Sequence, residues 1–184
     1  MTRRMTARSR LRRLFPMISG ADAETWARHA HPVSVWTRIL FGLPLLTLAG
    51  WSRVWIGPWW IAALAAAVFF IRINPRMTSA PRSTENWGSK STMGERLWLR
   101  MSRDQVPPWH RSVPRILVAG AALGHAVLLY GVIALEPWPT AFGYATGMLC
   151  KLWYLDRMVW LERDMAGPIH ARAWTSAHPE GGPR

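Results

Sequence analysis

The chain has 184 residues, a formal net charge of +13 and a mean hydropathy of only +0.01, because very apolar blocks alternate with very basic ones. That bimodality excludes a single water-soluble core and fits membrane spans separated by charged loops. One cysteine, Cys150, excludes an intrachain disulfide and a cysteine metal framework. Thirteen tryptophans, most at the ends of the apolar blocks, belong where amphipathic rings favour a membrane interface.

Residues 1–20 carry Arg3, Arg4, Arg8, Arg10, Arg12 and Arg13 and no acidic residue. A signal peptide or twin-arginine leader would need an apolar region, but Leu14, Phe15, Met17 and Ile18 are broken by Pro16 and run into Gly20 and Asp22. Residues 1–33 are expected to form a basic cytoplasmic tail, with Met17 an alternative first residue and Asp22–His29 a short helix before Pro32.

Four apolar spans follow, at about 36–52, 55–73, 116–135 and 140–160. Pro44 should kink the first, and Pro58 falls in the first turn of the second, where a missing N–H costs little. Ala62/Ala66 and Ala63/Ala67 offer small-residue spacing for close helix contact. In the third span Gly120, Gly124 and Gly131 lie within about 40° on a helical wheel, a groove for a neighbouring backbone. The fold class is therefore all-α: a polytopic membrane protein with four transmembrane helices in two hairpins, occupying residues 34–165, before a disordered C-terminal tail at 166–184.

Asn74-Pro75-Arg76 stops the second span and opens a long loop, 74–115. Thr92-x-x-Glu95 has capping-box spacing and predicts an amphipathic helix over about Met93–Arg103. Met93, Leu97 and Met101 would share one face, with Trp98 flanking it and Arg96, Arg100 and Arg103 on another. Such a helix lies on anionic lipid headgroups, contacted by Arg96, Arg100 and Arg103, or else packs as a cap on the end of the bundle.

Charge fixes the orientation. The N-terminal segment up to Arg38 holds eight arginines, nine Lys/Arg fall in 72–115 and five in 151–184, while the short turns near Arg53 and 136–139 hold one and none. The positive-inside rule places both termini and the long loop in the cytoplasm of a bacterial plasma membrane. This partition accounts for the charge by anionic headgroups and leaves nucleic acid no role.

Residues 148–165, MLCKLWYLDRMVWLERDM, bring ionisable groups to the inner end of the fourth span, where charge is costly and usually paired or functional. Thr140, Tyr144, Gly147, Lys151 and Tyr154 share a stripe, and Asp156 lies about 140° from Lys151, so the two do not pair within the helix. Either Lys151 snorkels inward and Asp156–Arg157 mark the interface, or a polar pocket forms at the cytoplasmic mouth from Arg76, Asn86, Lys90, Arg96, Lys151, Asp156 and Arg157. Asp156 is expected to find a loop arginine, Arg76 or Arg96. Tyr144, Asn86, Lys90, Glu95 and Lys151 could make an acid/base site, although spacing does not demand one.

His125, the one histidine within a span, is expected to be neutral and bonded between helices. His29, His31 and His110 lack zinc spacing, so neither metal nor cofactor is expected. There is no GxSxG, P-loop or HExxH, and no catalytic residue is assigned.

PRSTENW (81–87), GERLWL (94–99), Asn74-Pro75-Arg76 and KLWYLDRMVWLERDM (151–165) resemble a bacterial family of small, tryptophan-rich membrane proteins, a domain of unknown function. The resemblance spans about residues 30–165; the arginine-rich 1–16 depart from it. It implies a membrane location and transfers no catalytic residue. The functional expectation is a non-enzymatic accessory subunit or lipid-associated scaffold, its protein partner a second copy or another membrane protein. The alternative is a small membrane enzyme acting on a lipid or isoprenoid headgroup at the cytoplasmic mouth.

Overall fold

The computed structural model describes residues 23–177 apart from Arg103, with side chains over 26–166. The expected contact at Arg103 and most of the basic tail lie outside these residues. Among the described residues the chain is helical, without strands.

Short helices α1 (Ala23–His29) and α2 (Pro32–Thr37) lead into the first hairpin. Ahead of Pro44 the backbone widens into a π-helical stretch, Arg38–Gly42, before α3 (Leu43–Trp51). Proline cannot donate to the carbonyl four residues back and its ring crowds it; the wider turn absorbs both. The turn is longer than Ser52-Arg53: α4 (Arg53–Ile56) and a 3₁₀ turn (Gly57–Trp59) intervene before α5 (Trp60–Ile73). The reversal falls on Gly57, at φ 55° and ψ −135°, a conformation that Cβ-bearing residues rarely adopt. Along α5, Ala67 is buried and Ala63 half-buried against α3, whereas Ala62 and Ala66 face outward.

The loop helix α6 is Trp87–Arg100, starting six residues before the expected Met93. Asn86, not Thr92, caps it, its Oδ1 accepting from the Ser89 N–H at 2.9 Å. Thr92 donates to the Gly88 carbonyl inside the helix, and Glu95 is engaged elsewhere. A 3₁₀ turn (Pro108–His110) precedes α7 (Val113–Ala134), which ends on Leu135 in the left-handed conformation with the Glu136 N–H reaching back to Gly131 O at 2.8 Å. The last helix, α8, runs from Pro137 to Ala177, far beyond the expected end at 160. Residues 166–177 are thus helical where an irregular tail was expected; 178–184 lie outside the described residues.

The α7–α8 hairpin closes through glycine. A Cβ on Gly124 would lie 2.4 Å from the Gly147 nitrogen, and one on Gly131 2.4 Å from that of Thr140. The end of this hairpin nearest its turn is fastened to the first hairpin: Arg53 donates to the Val132 and Ile133 carbonyls, Trp51 Nε1 to Thr140 Oγ1 (3.3 Å), and Gly50 seats Val132. At the other end, α6 packs along the second half of α8 over Val106, Leu117, Tyr154, Leu155, Met158 and Leu161.

Two segments are long and apolar enough to cross a membrane, Pro32–Arg76 and Pro108–Ala134. The first is the α2–α5 hairpin rather than one straight helix, since α3 and α5 pack side by side.

Candidate binding cleft between the hairpins

The hairpins are joined at their ends away from α6 and separate towards α6. Between them opens a cavity of about 430 Å³, within the size range of small-molecule sites. Three helical faces line it at helical spacing: Val35, Arg38, Ile39 and Leu43 from the first hairpin; Met148, Lys151 and Leu155 from α8; Ser91, Thr92, Glu95 and Leu99 from α6. Trp26, His29 and His125 complete the wall.

α6 is brought this close by small residues. A Cβ on Gly94 would fall 1.9 Å from the Met158 carbonyl oxygen, so only glycine lets the two backbones touch. Ser89 donates to Ala30 O (2.6 Å), and Gly88 rests on Val35. Asn74 ties the two ends of the first hairpin together, accepting from Ser34 Oγ (3.0 Å) and donating to Thr37 Oγ1 (2.7 Å). The residues that bury α6 are therefore Gly88, Ser89, Ser91, Thr92 and Gly94, while Met93 and Leu97 stay half-buried.

The charges in the cleft have defined partners. Lys151 Nζ lies 3.3 Å from Glu95 Oε1, a bridge from α8 to α6, and stands over the Tyr154 ring at 4.8 Å. Arg38 donates from Nε to Ser34 O (3.0 Å) and from a terminal nitrogen to His29 O (2.9 Å). Both acceptors are neutral carbonyls, so the guanidinium is held in place with its charge uncancelled by them. His125 Nδ1 bonds Ala121 O at 2.6 Å, within its own helix rather than between helices as expected, and its ring packs on Gly147. A second cavity, about 260 Å³, lies on the other side of the bridge and shares Glu95, Leu99 and Lys151 with the first.

A separate dyad joins the loop to α8. Buried His110 meets Asp164 Oδ2 at 2.8 Å, and Trp109 Nε1 donates to the same oxygen at 3.1 Å. These two hydrogen bonds, His110's first, hold the Asp164 carboxyl below its ordinary range.

A family model described as a family of unknown function (DUF6653) matches residues 8–180, wider than the 30–165 of the quoted motifs. The chain belongs to this family. No curated protein and no solved structure matches it.

In this DUF6653 member the sequence-derived pocket residues do not gather. Lys151 alone of them lines the cleft. Arg76 is exposed at the end of a 3₁₀ turn, Asn86 is a helix cap, and Lys90 pairs with Glu85 at 2.6 Å. Arg96 stands over Trp26, 6.0 Å from the ring centre, while Arg100 is exposed. Asp156 does not reach a loop arginine: it accepts from Trp160 Nε1 (3.2 Å) and neighbours Arg157 (3.6 Å), because α8 turns it away from α6. Of the acid/base set, only Glu95 and Lys151 meet. Arg38 was hidden from sequence reasoning because it reads as an ordinary flanking charge of the first span. Asn74 read as a stop, and Gly94 only as the first residue of GERLWL. The usable signal was the run of small residues from Gly88 to Gly94 opposite the Lys151 stripe.

Proposed function

We propose that this protein is a four-span integral component of a bacterial plasma membrane, with both termini cytoplasmic, acting as a non-catalytic, lipid-associated scaffold. The cleft is the observation that carries the functional part: apolar walls, with Arg38, Glu95 and Lys151 at the level of the proposed inner interface. The membrane part is supported by the two long apolar segments, the first folded back at Gly57. α7 measures about 33 Å, enough for a core of about 30 Å. Exposed tryptophans sit at both ends, Trp55, Trp59 and Trp138 at one and Trp36, Trp109, Trp153 and Trp160 at the other. Arg96 and Arg100 lie on the cytoplasmic side, where they would meet anionic headgroups.

Reporters fused after Arg53 and after Trp138 should read periplasmic, and fusions within 80–105 or after Met165 cytoplasmic. One opposite reading breaks the topology. Lipid should co-purify with the protein in mild detergent, and its absence would remove the lipid-associated reading.

A second reading, an enzyme on a lipid headgroup, is favoured by the convergence of Glu95, Lys151 and His125 on one cleft. It requires that wild-type protein convert a component of total membrane lipid and that Glu95→Gln abolish the conversion, followed by mass spectrometry.

A further inference from the structure

We propose that the cleft takes one chain of an anionic lipid and holds its phosphate headgroup between Arg38 and Lys151. This deepens the lipid-associated reading and rests on it.

The charge balance selects the headgroup. Two cations, Arg38 and Lys151, face the cavity against one carboxylate among the described residues, Glu95, and Glu95 is bonded to Lys151. An anion entering the cleft meets surplus positive charge; a cationic headgroup meets a carboxylate already neutralised. The guanidinium is fixed in advance by its bonds to Ser34 O and His29 O, so little ordering is needed on binding. Lys151 is partly exposed, its side chain 42% accessible, and its flexible stem lets the ammonium swing from Glu95 to a phosphate.

The apolar walls select the tail. From Arg38 the first hairpin continues outward to Ile39 and Leu43, and from Lys151 α8 continues outward to Met148. The charged pair therefore sits on the cytoplasmic side of an apolar slot. Such an order, charge then hydrocarbon, matches a lipid entering with its headgroup at the inner interface. A cavity of about 430 Å³ suits one chain rather than a whole two-chain lipid.

The experiment uses the full chain in neutral detergent with three probes: fluorescent lysophosphatidate, the uncharged monoacylglycerol bearing the same labelled chain, and inorganic phosphate as competitor. The phosphate lipid should bind at least tenfold more tightly than the uncharged one, and millimolar inorganic phosphate should not displace it. Lys151→Met should weaken the phosphate lipid at least tenfold and leave the uncharged one unchanged. Met148→Trp, which fills the slot, should weaken both.

Glu95→Gln gives the opposite sign: with the competing carboxylate removed, the phosphate lipid should bind more tightly. Arg38 also holds two backbone carbonyls, so the test rests on Lys151, Met148 and Glu95 instead. Equal affinity for charged and uncharged lipids, weaker binding in Glu95→Gln, or an unaffected Lys151→Met overturns the proposal. Displacement by inorganic phosphate alone would show a free-anion site and overturn it too. Co-purified lipid that is wholly uncharged sinks this inference but leaves the scaffold reading standing; no co-purified lipid sinks both.

Discussion

The two halves of α8 are packed by different rules. Over Pro137–Cys150 the helix meets α7 through Gly124, Gly131, Gly143 and Gly147, backbone against backbone, while Phe142 and Leu149 are each 65% exposed. Over Lys151–Met165 it is wrapped by α6 and the loop, and Met158 and Leu161 are 0% exposed. Hydrocarbon gives an apolar side chain no reason to leave it, so helices in lipid associate by close backbone approach. Water does give that reason, and buried side-chain volume then carries the stability. In the membrane placement proposed above, this one helix meets two solvents, and the change comes at Lys151.

The sharpest way to break this contrast is at Gly94, where the cap meets α8 through a glycine. Gly94→Leu puts a side chain where the Met158 carbonyl lies, and α6 should undock. Overpacking costs about 1–3 kcal/mol where neighbours can shift, but here the obstacle is backbone. The expected outcome is loss of the cooperative thermal transition of the cap, with the α7–α8 hairpin retained, as read by amide hydrogen-exchange protection over residues 120–147. A normal transition would mean that α6 is not held at this distance.

Truncation in each half tests the two rules side by side. Leu161→Ala should cost about 3 kcal/mol, as cavities in water-type cores do. Phe142→Ala, which empties nothing, should stay within about 0.5 kcal/mol in detergent or lipid. Similar losses at both sites would erase the distinction.

How far the sequence revealed this depends on which rule was in force. Long apolar runs and the 120/124/131 glycine spacing are visible because close backbone approach leaves its mark in composition and in small residues at helical spacing. The cap was less visible. Thr92-x-x-Glu95 imitates a capping box, but Asn86 starts the helix and Glu95 turns to Lys151. Met93, Leu97 and Met101 suggested the packed face; Met101 and the flanking Trp98 do pack against the core, but α6 docks chiefly through Gly88, Ser91 and Gly94, whose small side chains give no hydrophobic period. Lys151 was legible as a costly charge; its partner was not, since pairing between distant elements leaves no local trace.

The smallest expected effect concerns the lower fastening of the cap. The Asp164 carboxyl is held below its ordinary value near 3.8, first by His110 and then by Trp109. A depressed carboxylate stabilises above its unfolded value, and that contribution is lost as pH falls through the folded one. Cap stability should therefore drop between about pH 4 and the acid limit. Because Asp164 is 41% exposed, the loss should stay below about 1 kcal/mol. Asp164→Asn should flatten this part of the pH profile in thermal melts, and an unchanged slope would show that the dyad does not fasten the loop.

The bridge from Glu95 to Lys151 has a consequence for biogenesis. Its partners are 56 residues apart, a stretch that a ribosome adds in roughly 3–11 s at about 5–20 residues per second. Throughout that interval α6 exists without the surface on which it docks, its Gly-Ser face open to whatever chaperone or insertase stands at the exit. The last helix is then the closing piece: until it is threaded and turned into place, the slot has neither its lysine nor its far wall.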